Sequence, residues 1–309
     1  MAKIEFGFTL PQIPPDPASR ATFAADLNRA LTLVSGHFAS ARIIDHLMCD
    51  EGDIESFTTL AYLAALYPRL KFGHTVICQS FRNPALVALM GAAFQFLSGG
   101  RFLFGIGTGW HEAEYRAYGY DFPPARVRVE QLEEALQIIK ALWSEKKVTF
   151  TGTHYRVFEA ECEPKPDPVP PIMVGAFKPR TMRITAKYAD EWNVSSTGIV
   201  RYRRLVEDFA RACAEVGRDA ATVTRSWGGG CILRPVEADA RRIGGERYAE
   251  TEDNFDFVGT PAQIIAQMGP FIDSGVTSFI LDCGGFPDLT TLELLISDVL
   301  PAINGQEVD

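Results

Sequence analysis

The sequence predicts an α/β protein folded as a (β/α)8 TIM barrel, and three observations carry that prediction. Short apolar, β-rich runs alternate with stretches of helical apolar spacing; eight such β-α units can be counted; and no linker or internal repeat divides the 309 residues. Composition agrees, since 47% hydrophobic residues and a mean hydropathy near zero supply one large core, though they would equally serve two smaller domains. The unit count chooses the barrel, a single domain over residues 1–309, with insertions after strand four and before the last two units.

Taken in order, Ile4 to Leu10 is a β-rich run stopped by Pro11, and Ala18 to Phe38 follows with Phe23, Leu27, Leu31 and Val34 at helical spacing. Phe38 to Ile44 is the second strand and delivers Asp45-His46 at its C-terminal end, with the next helix at Ile54 to Leu66. Leu70 to Ile77 is the third strand; Asn83-Pro84 then opens a helix, proline at its first position, that runs to about Leu97. The fourth strand lies in Gly99 to Trp110, an apolar run too short for a buried helix that opens into Gly105-Ile106-Gly107-Thr108-Gly109. That turn lacks the third-glycine spacing of a dinucleotide fingerprint; it lets backbone press against a flat group, or is simply a tight strand exit.

Beyond it, Arg126 to Trp143 is a long amphipathic helix with Leu132, Leu136, Ile139 and Trp143 on one stripe. Val148-Thr149-Phe150 and Tyr155 to Phe158 flank Thr151-Gly152-Thr153 as a short hairpin, and the proline-rich Glu161 to Pro171 crosses the surface as a loop. Ile172 to Gly175 is strand five, followed by a helix from near Pro179; Glu191 to Val194 is strand six, followed by a helix over Val200 to Val216. Strand seven falls within Thr222 to Leu233, and Pro235 to Phe257, charged and glycine-containing, reads as a mobile excursion. A helix capped by Thr260-Pro261, a strand at Thr277 to Leu281 and a helix from Leu289 to Leu300 close the chain.

The net charge of -9, with basic residues scattered, argues against a nucleic-acid partner and for a small-molecule one. Six cysteines (Cys49, Cys78, Cys162, Cys213, Cys231, Cys283) without a C-x-x-C pair fit reduced thiols better than zinc or disulfides. The N-terminus starts a strand at once and no segment is long enough to span a membrane, so a soluble, cytoplasmic protein is expected.

Chemistry in such barrels sits at the C-terminal strand ends. Here those ends read Pro11-Gln12, Asp45-His46, Cys78-Gln79, Thr108-Gly109-Trp110, Gly175-Ala176, Asn193-Val194-Ser195, Gly228-Gly229-Gly230 and Asp282-Cys283. One Asp-His pair is no metal cage, and no metal site is expected. Nor is there an activated serine or cysteine, or a strand-end lysine for a Schiff base. Glycines and amide side chains suit a planar cofactor seated on backbone. His46 is the strand-end group that titrates near neutrality and the natural proton donor or acceptor, or else a hydrogen-bonding neighbour of Asp45. Gly175 to Thr181 is a strand-glycine-helix junction carrying Lys178 and Arg180; it suits a phosphate, or is an ordinary turn with surface cations. Trp110, Phe177 and Trp192 wall a pocket or belong to the core, and His111, Glu112 and Glu114 read as a charged helix face.

The order of these motifs resembles the bacterial luciferase-like flavin/deazaflavin oxidoreductase superfamily (luciferase-like monooxygenases) over nearly the whole chain. The resemblance rests on Asp45-His46, Arg82-Asn83-Pro84-Ala85, Gly105-x-Gly107-Thr108-Gly109-Trp110 with Glu112 and Glu114, Leu142-Trp143, Gly152 before Tyr155, and Ala189-Asp190-Glu191-Trp192-Asn193. Glu191 stands where the family pattern usually has glycine. Members are (β/α)8 barrels, commonly dimeric, that bind FMN or the deazaflavin coenzyme F420. The stretch from Gly73-His74-Thr75-Val76 to Asn83-Pro84-Ala85 is most similar to the F420-dependent branch.

That resemblance implies a cis Thr75-Val76 peptide bulging behind the cofactor ring. It implies a ring lined by Asp45, Thr75, Val76, Thr108 and Gly109, a phosphate held by Gly175 and Ala176 with Lys178 or Arg180 nearby, and His46 as the active-site histidine. Sugar-phosphate dehydrogenases of the family carry glutamate where Trp110 stands, so a neutral alcohol, ketone or enone is the implied substrate. The expected activity is F420-dependent hydride transfer in a homodimer; the alternatives are an FMN-dependent monooxygenase and a cofactor-binding protein without turnover. Arg241, Arg242 and Arg247 are held in reserve as lid arginines.

Overall fold

The computed structural model describes residues 3–14, 16–48, 53–245 and 251–305. In chain order, β1 (Glu5–Thr9) leads into α1 (Pro17–Val34), capped by the Asp16 carboxylate with Pro17 in the first turn. Then come β2 (Ser40–Ile43), α2 (Ser56–Leu66), and a third strand in two pieces, β3 (Lys71–His74) and β4 (Ile77–Cys78). The break falls at the cis Thr75–Val76 peptide, so the continuous strand expected over Leu70 to Ile77 is corrected. α3 (Pro84–Ser98) is capped by Asn83, whose side chain accepts from the Ala85 N–H, and ends at Gly99 in the left-handed conformation.

β5 (Phe102–Gly107) is followed by the expected insertion: α4 (Glu112–Ala117), the amphipathic α5 (Ala125–Ser144), and the hairpin β6 (Val148–Thr151) and β7 (Arg156–Ala160). β8 (Ile172–Gly175), α6 (Pro179–Tyr188), β9 (Glu191–Ser195), α7 (Ile199–Glu215) and β10 (Thr224–Leu233) continue the alternation. The second insertion, expected over Pro235 to Phe257, lies between the seventh and eighth barrel strands. It contains α8 (Glu237–Gly244) and β11 (Phe257–Gly259), which adds to the edge of β10 beside the barrel. α9 (Pro261–Asp273) begins with the reciprocal Thr260–Gln263 cap, and β12 (Ser278–Cys283) closes the sheet. The last helix is not continuous: α10 (Thr290–Leu294) passes through a π turn over 295–299 into α11 (Leu300–Asn304).

All barrel neighbours pair in parallel, from β12 to β1 and onward through β2, β3 with β4, β5, β8, β9 and β10 back to β12. Strand alternation sends two kinds of side chain to the two faces. Outward, Phe72, Phe104, Trp192, Trp227 and Phe279 pack under the helices in one aromatic-rich core. Inward, the lumen is narrow and polar. A Cβ on Gly7 would meet Ser40 Oγ at 2.9 Å, and one on Gly105 would meet Met173 Cε at 2.9 Å. Across this lumen Arg42 on β2 reaches Glu191 on β9, Nη2 to Oε2 3.2 Å, both buried. Glu191, where the family pattern has glycine, is therefore the partner of a buried arginine. No helix among the described residues is long and apolar enough to cross a membrane.

Candidate active site

A cleft of about 570 Å³ opens at the C-terminal ends of the strands. β2 ends two residues before Asp45, so Asp45 and His46 leave the barrel at its rim and diverge. Asp45 turns to protein. Arg82 donates to it through both Nη1 (2.7 Å) and Nη2 (2.9 Å), Ser56 Oγ donates at 2.6 Å and the Cys78 N–H at 3.1 Å. Burial works to raise this carboxyl, but the bonds and charge of Arg82 and the Ser56 hydroxyl outweigh it and hold it below the usual carboxylate range. Arg82 also reaches Glu55 Oε1 at 2.9 Å, tying the β2 rim to the start of α2.

His46 is partnered from a distance of 68 residues. Its Nδ1 lies 3.0 Å from Glu114 Oε1, while Glu114 Oε2 accepts the Leu47 N–H at 2.8 Å. Glu114 is 2% exposed, which corrects the expectation of a charged helix face: α4 turns Glu114 and Tyr115 inward and leaves Glu112 outside with Arg116. A carboxylate oxygen that accepts this contact assigns the proton to Nδ1, which leaves Nε2 as the ring nitrogen that Glu114 does not engage. His111 Nδ1 stands 4.0 Å from the same Glu114 oxygen. Trp110 is 69% exposed, stacked on His111 (centroids 5.0 Å) with its edge to His46 (5.7 Å).

The cleft is rich in glycine. Thr75, Val76, Gly107, Thr108, Gly109 and Gly175 all line it. A Cβ on Gly107 would fall 2.7 Å from Val76 Cγ2, so the residues around the cis peptide lie directly against the glycine strand. Gly109 has φ +71°, and a side chain there would collide with Tyr115 Oη and Cys78 Sγ. At Gly175 nothing lies within 4 Å of a Cβ position, and Gly228 and Gly229 also line the cleft. This bed, lined by glycines among small and apolar residues, fits a flat fused-ring cofactor. Cys78 also lines the cleft, but its thiol meets Tyr115 Oη at 2.8 Å and burial pushes it up to about 11, so it is no nucleophile.

At the phosphate candidate, Gly175 and Phe177 border the cleft while Ala176 is buried. Lys178 and Arg180 are exposed on the first turn of α6 and are not cleft-lining residues. Trp192 lies outside the cleft altogether, which corrects its reading as a pocket wall. It alternates with inward Glu191 and Asn193, so it faces α7, fully buried, stacked on Phe209 at 4.3 Å and donating Nε1–H to the Ala176 carbonyl. Asn193, Ser195 and Asp282 line the cleft instead. Of the lid arginines, Arg241 and Arg242 are exposed on α8 against Glu237 and Asp239; Arg247, like Cys49, lies outside the described residues.

The sequence model of the luciferase-like monooxygenases matches residues 5–254. An F420-dependent glucose-6-phosphate dehydrogenase of Kineococcus radiotolerans is 26% identical over 302 residues, 87% of each chain. The structure of an F420-dependent secondary alcohol dehydrogenase in complex with an F420-acetone adduct superposes with a TM-score of 0.83 at 18% identity, over 97% of this chain and 99% of that one. The oxygenating constituent of 3,6-diketocamphane monooxygenase from Pseudomonas putida, solved with FMN, gives 0.78 at 19% identity, over 97% and 99%. With 250 consecutive residues matched and the barrel superposed nearly end to end, this chain belongs to the luciferase-like monooxygenase family.

Proposed function

We propose that this protein is an F420-dependent oxidoreductase acting on a small neutral alcohol, ketone or enone. The observation that carries the reading is a histidine held by a buried carboxylate beside a glycine-lined bed, His46 Nδ1 to Glu114 Oε1 3.0 Å. The deazaflavin would supply hydride transfer at its C5; the chain supplies position and the proton. Thr75, Val76, Thr108 and Gly109 seat the ring. Gly175 and the Ala176 backbone, with Lys178 and Arg180 drawn from the nearby surface, take the phosphate. His46 gives or accepts the substrate proton through Nε2 while Glu114 holds its tautomer. Trp110 and Phe177 offer the substrate apolar faces in place of a charge.

The same reading makes the protein a cytoplasmic homodimer. The described cysteines are all free, which supports a reducing compartment. α2 and α3 expose Tyr62, Leu66, Leu86, Leu89, Phe96 and Leu97, the last 82% exposed, an apolar face that supports self-association.

Fluorescence titration of the purified protein with F420 and with FMN, followed by turnover of neutral carbonyls and sugar phosphates, tests the reading. Tight F420 binding with reversible turnover of a neutral carbonyl is expected. FMN binding without a response to F420 would establish the flavin monooxygenase instead, and F420 binding without any turnover a non-catalytic binder.

A further inference from the structure

Two of the side chains at the rim, His46 and Glu114, have a third beside them that proton transfer leaves unused. The metal-binding atoms of His46, His111 and Glu114 all lie within 4.8 Å of one another. They come from two segments, the end of β2 and the start of α4, so their convergence is a product of the fold. We propose that these three residues bind a zinc ion that reversibly silences the enzyme.

The donor set selects the metal. Two imidazoles and one carboxylate, with room for a water, are a zinc complement; magnesium and calcium require more oxygen ligands than the rim provides. The carboxylate is already aimed. Glu114 Oε2 is held by the Leu47 N–H, which leaves Oε1, 3.0 Å from His46 Nδ1 and 4.0 Å from His111 Nδ1, as the bridging atom. Zinc at about 2 Å from each donor needs donor atoms about 3.4 Å apart, so the longest separation has to close by little more than 1 Å. The His111 side chain is 28% exposed, so a side-chain rotation can supply that movement. The fourth position of the ion would face the cleft, which His46 and Glu114 both line.

Zinc at His46 Nδ1 takes the place of the proton that Glu114 now accepts; that proton passes through solvent to Nε2, where the metal-bound neutral imidazole keeps it, and the ring is locked to the rim. The ring can then no longer cycle a proton with the substrate. This silencing rests on the function proposed above; the binding itself does not.

Calorimetric titration of the cofactor-free protein with zinc chloride separates the two. Wild type is expected to take up one equivalent. His111→Asn, which puts a favoured capping residue at the start of α4 and should fold, is expected to bind at least ten-fold more weakly, as is Glu114→Gln. Equal affinity in wild type and His111→Asn, or no uptake by wild type, would overturn the site. With F420 and a substrate that turns over, zinc is expected to lower the wild-type rate at least ten-fold and EDTA to restore it, each protein referred to its own zinc-free rate. One bound equivalent with an undiminished rate would overturn the silencing and count against His46 as the proton group, while the calorimetry would still establish the site.

Discussion

His46 Nδ1 and Glu114 Oε1 lie 3.0 Å apart at the rim of the barrel, so that a buried carboxylate holds one ring nitrogen of a histidine that lines the cleft. Removing the charge of Glu114 while keeping its shape should loosen ring orientation without emptying the cleft. Glu114→Gln is expected to lower kcat about 10–100-fold with KM nearly unchanged, since only the proton-transferring step is affected. Steady-state kinetics read this directly, and a change confined to KM would assign Glu114 to substrate binding.

Asp45 and Arg82 form the most completely satisfied ion pair of the site, and both side chains are largely buried. Arg82→Met strands a buried carboxylate, so a loss of about 3–5 kcal/mol in urea unfolding is expected. A loss below 1 kcal/mol would mean that Ser56 and the Cys78 N–H hold Asp45 unaided.

How far this site was legible in the sequence depends on the distance over which each signal acts. The caps at Asn83-Pro84 and Thr260-Pro261, the amphipathic stripe of α5 and the strand ends are local patterns, and the barrel follows from them. Asp45-His46 was visible as a strand end, and Thr75-Val76 through its family resemblance. Glu114 was not, because its meaning depends on a residue 68 positions earlier and α4 is too short to show which face is buried. Trp192 was misplaced because strand parity is ambiguous until the register is known; one step along β9 separates the cleft from the helix layer. Arg42 with Glu191 likewise required knowing that β2 and β9 face each other across the lumen.

His74 is expected to make the fold acid-sensitive. Its ring is fully buried between Phe57 (4.4 Å) and Phe102 (5.7 Å), and neither nitrogen has a hydrogen-bond partner. Burial, against the pull of Asp45 and with the push of Arg82, lowers it to about 4. The unfolded chain therefore takes up this proton near 6.5 while the folded chain refuses it. This contribution to stability is expected to be whole above pH 6.5 and to decline as pH falls towards 4, by about 3 kcal/mol. His74→Phe should keep the ring packing and flatten the decline in Tm between pH 6.5 and 4; an unchanged decline would assign it to other groups.

Lys178 and Arg180 stand exposed at the α6 start, next to the cleft-lining Gly175 and Phe177. If they close on the cofactor phosphate, replacing both with alanine should weaken F420 affinity by about 1–3 kcal/mol with Tm unchanged. Unchanged affinity in a fluorescence titration would move the phosphate to the Gly228-Gly229-Gly230 wall.

The central claim is that the proton accompanying hydride transfer passes through His46. It is tested most directly by single-turnover reduction of F420 with a neutral alcohol in wild type and His46→Ala, alongside the F420 dissociation constant of each. The expected result is a rate about 10²–10⁴-fold lower in His46→Ala with the dissociation constant within a factor of about three. A wild-type rate in His46→Ala would contradict it.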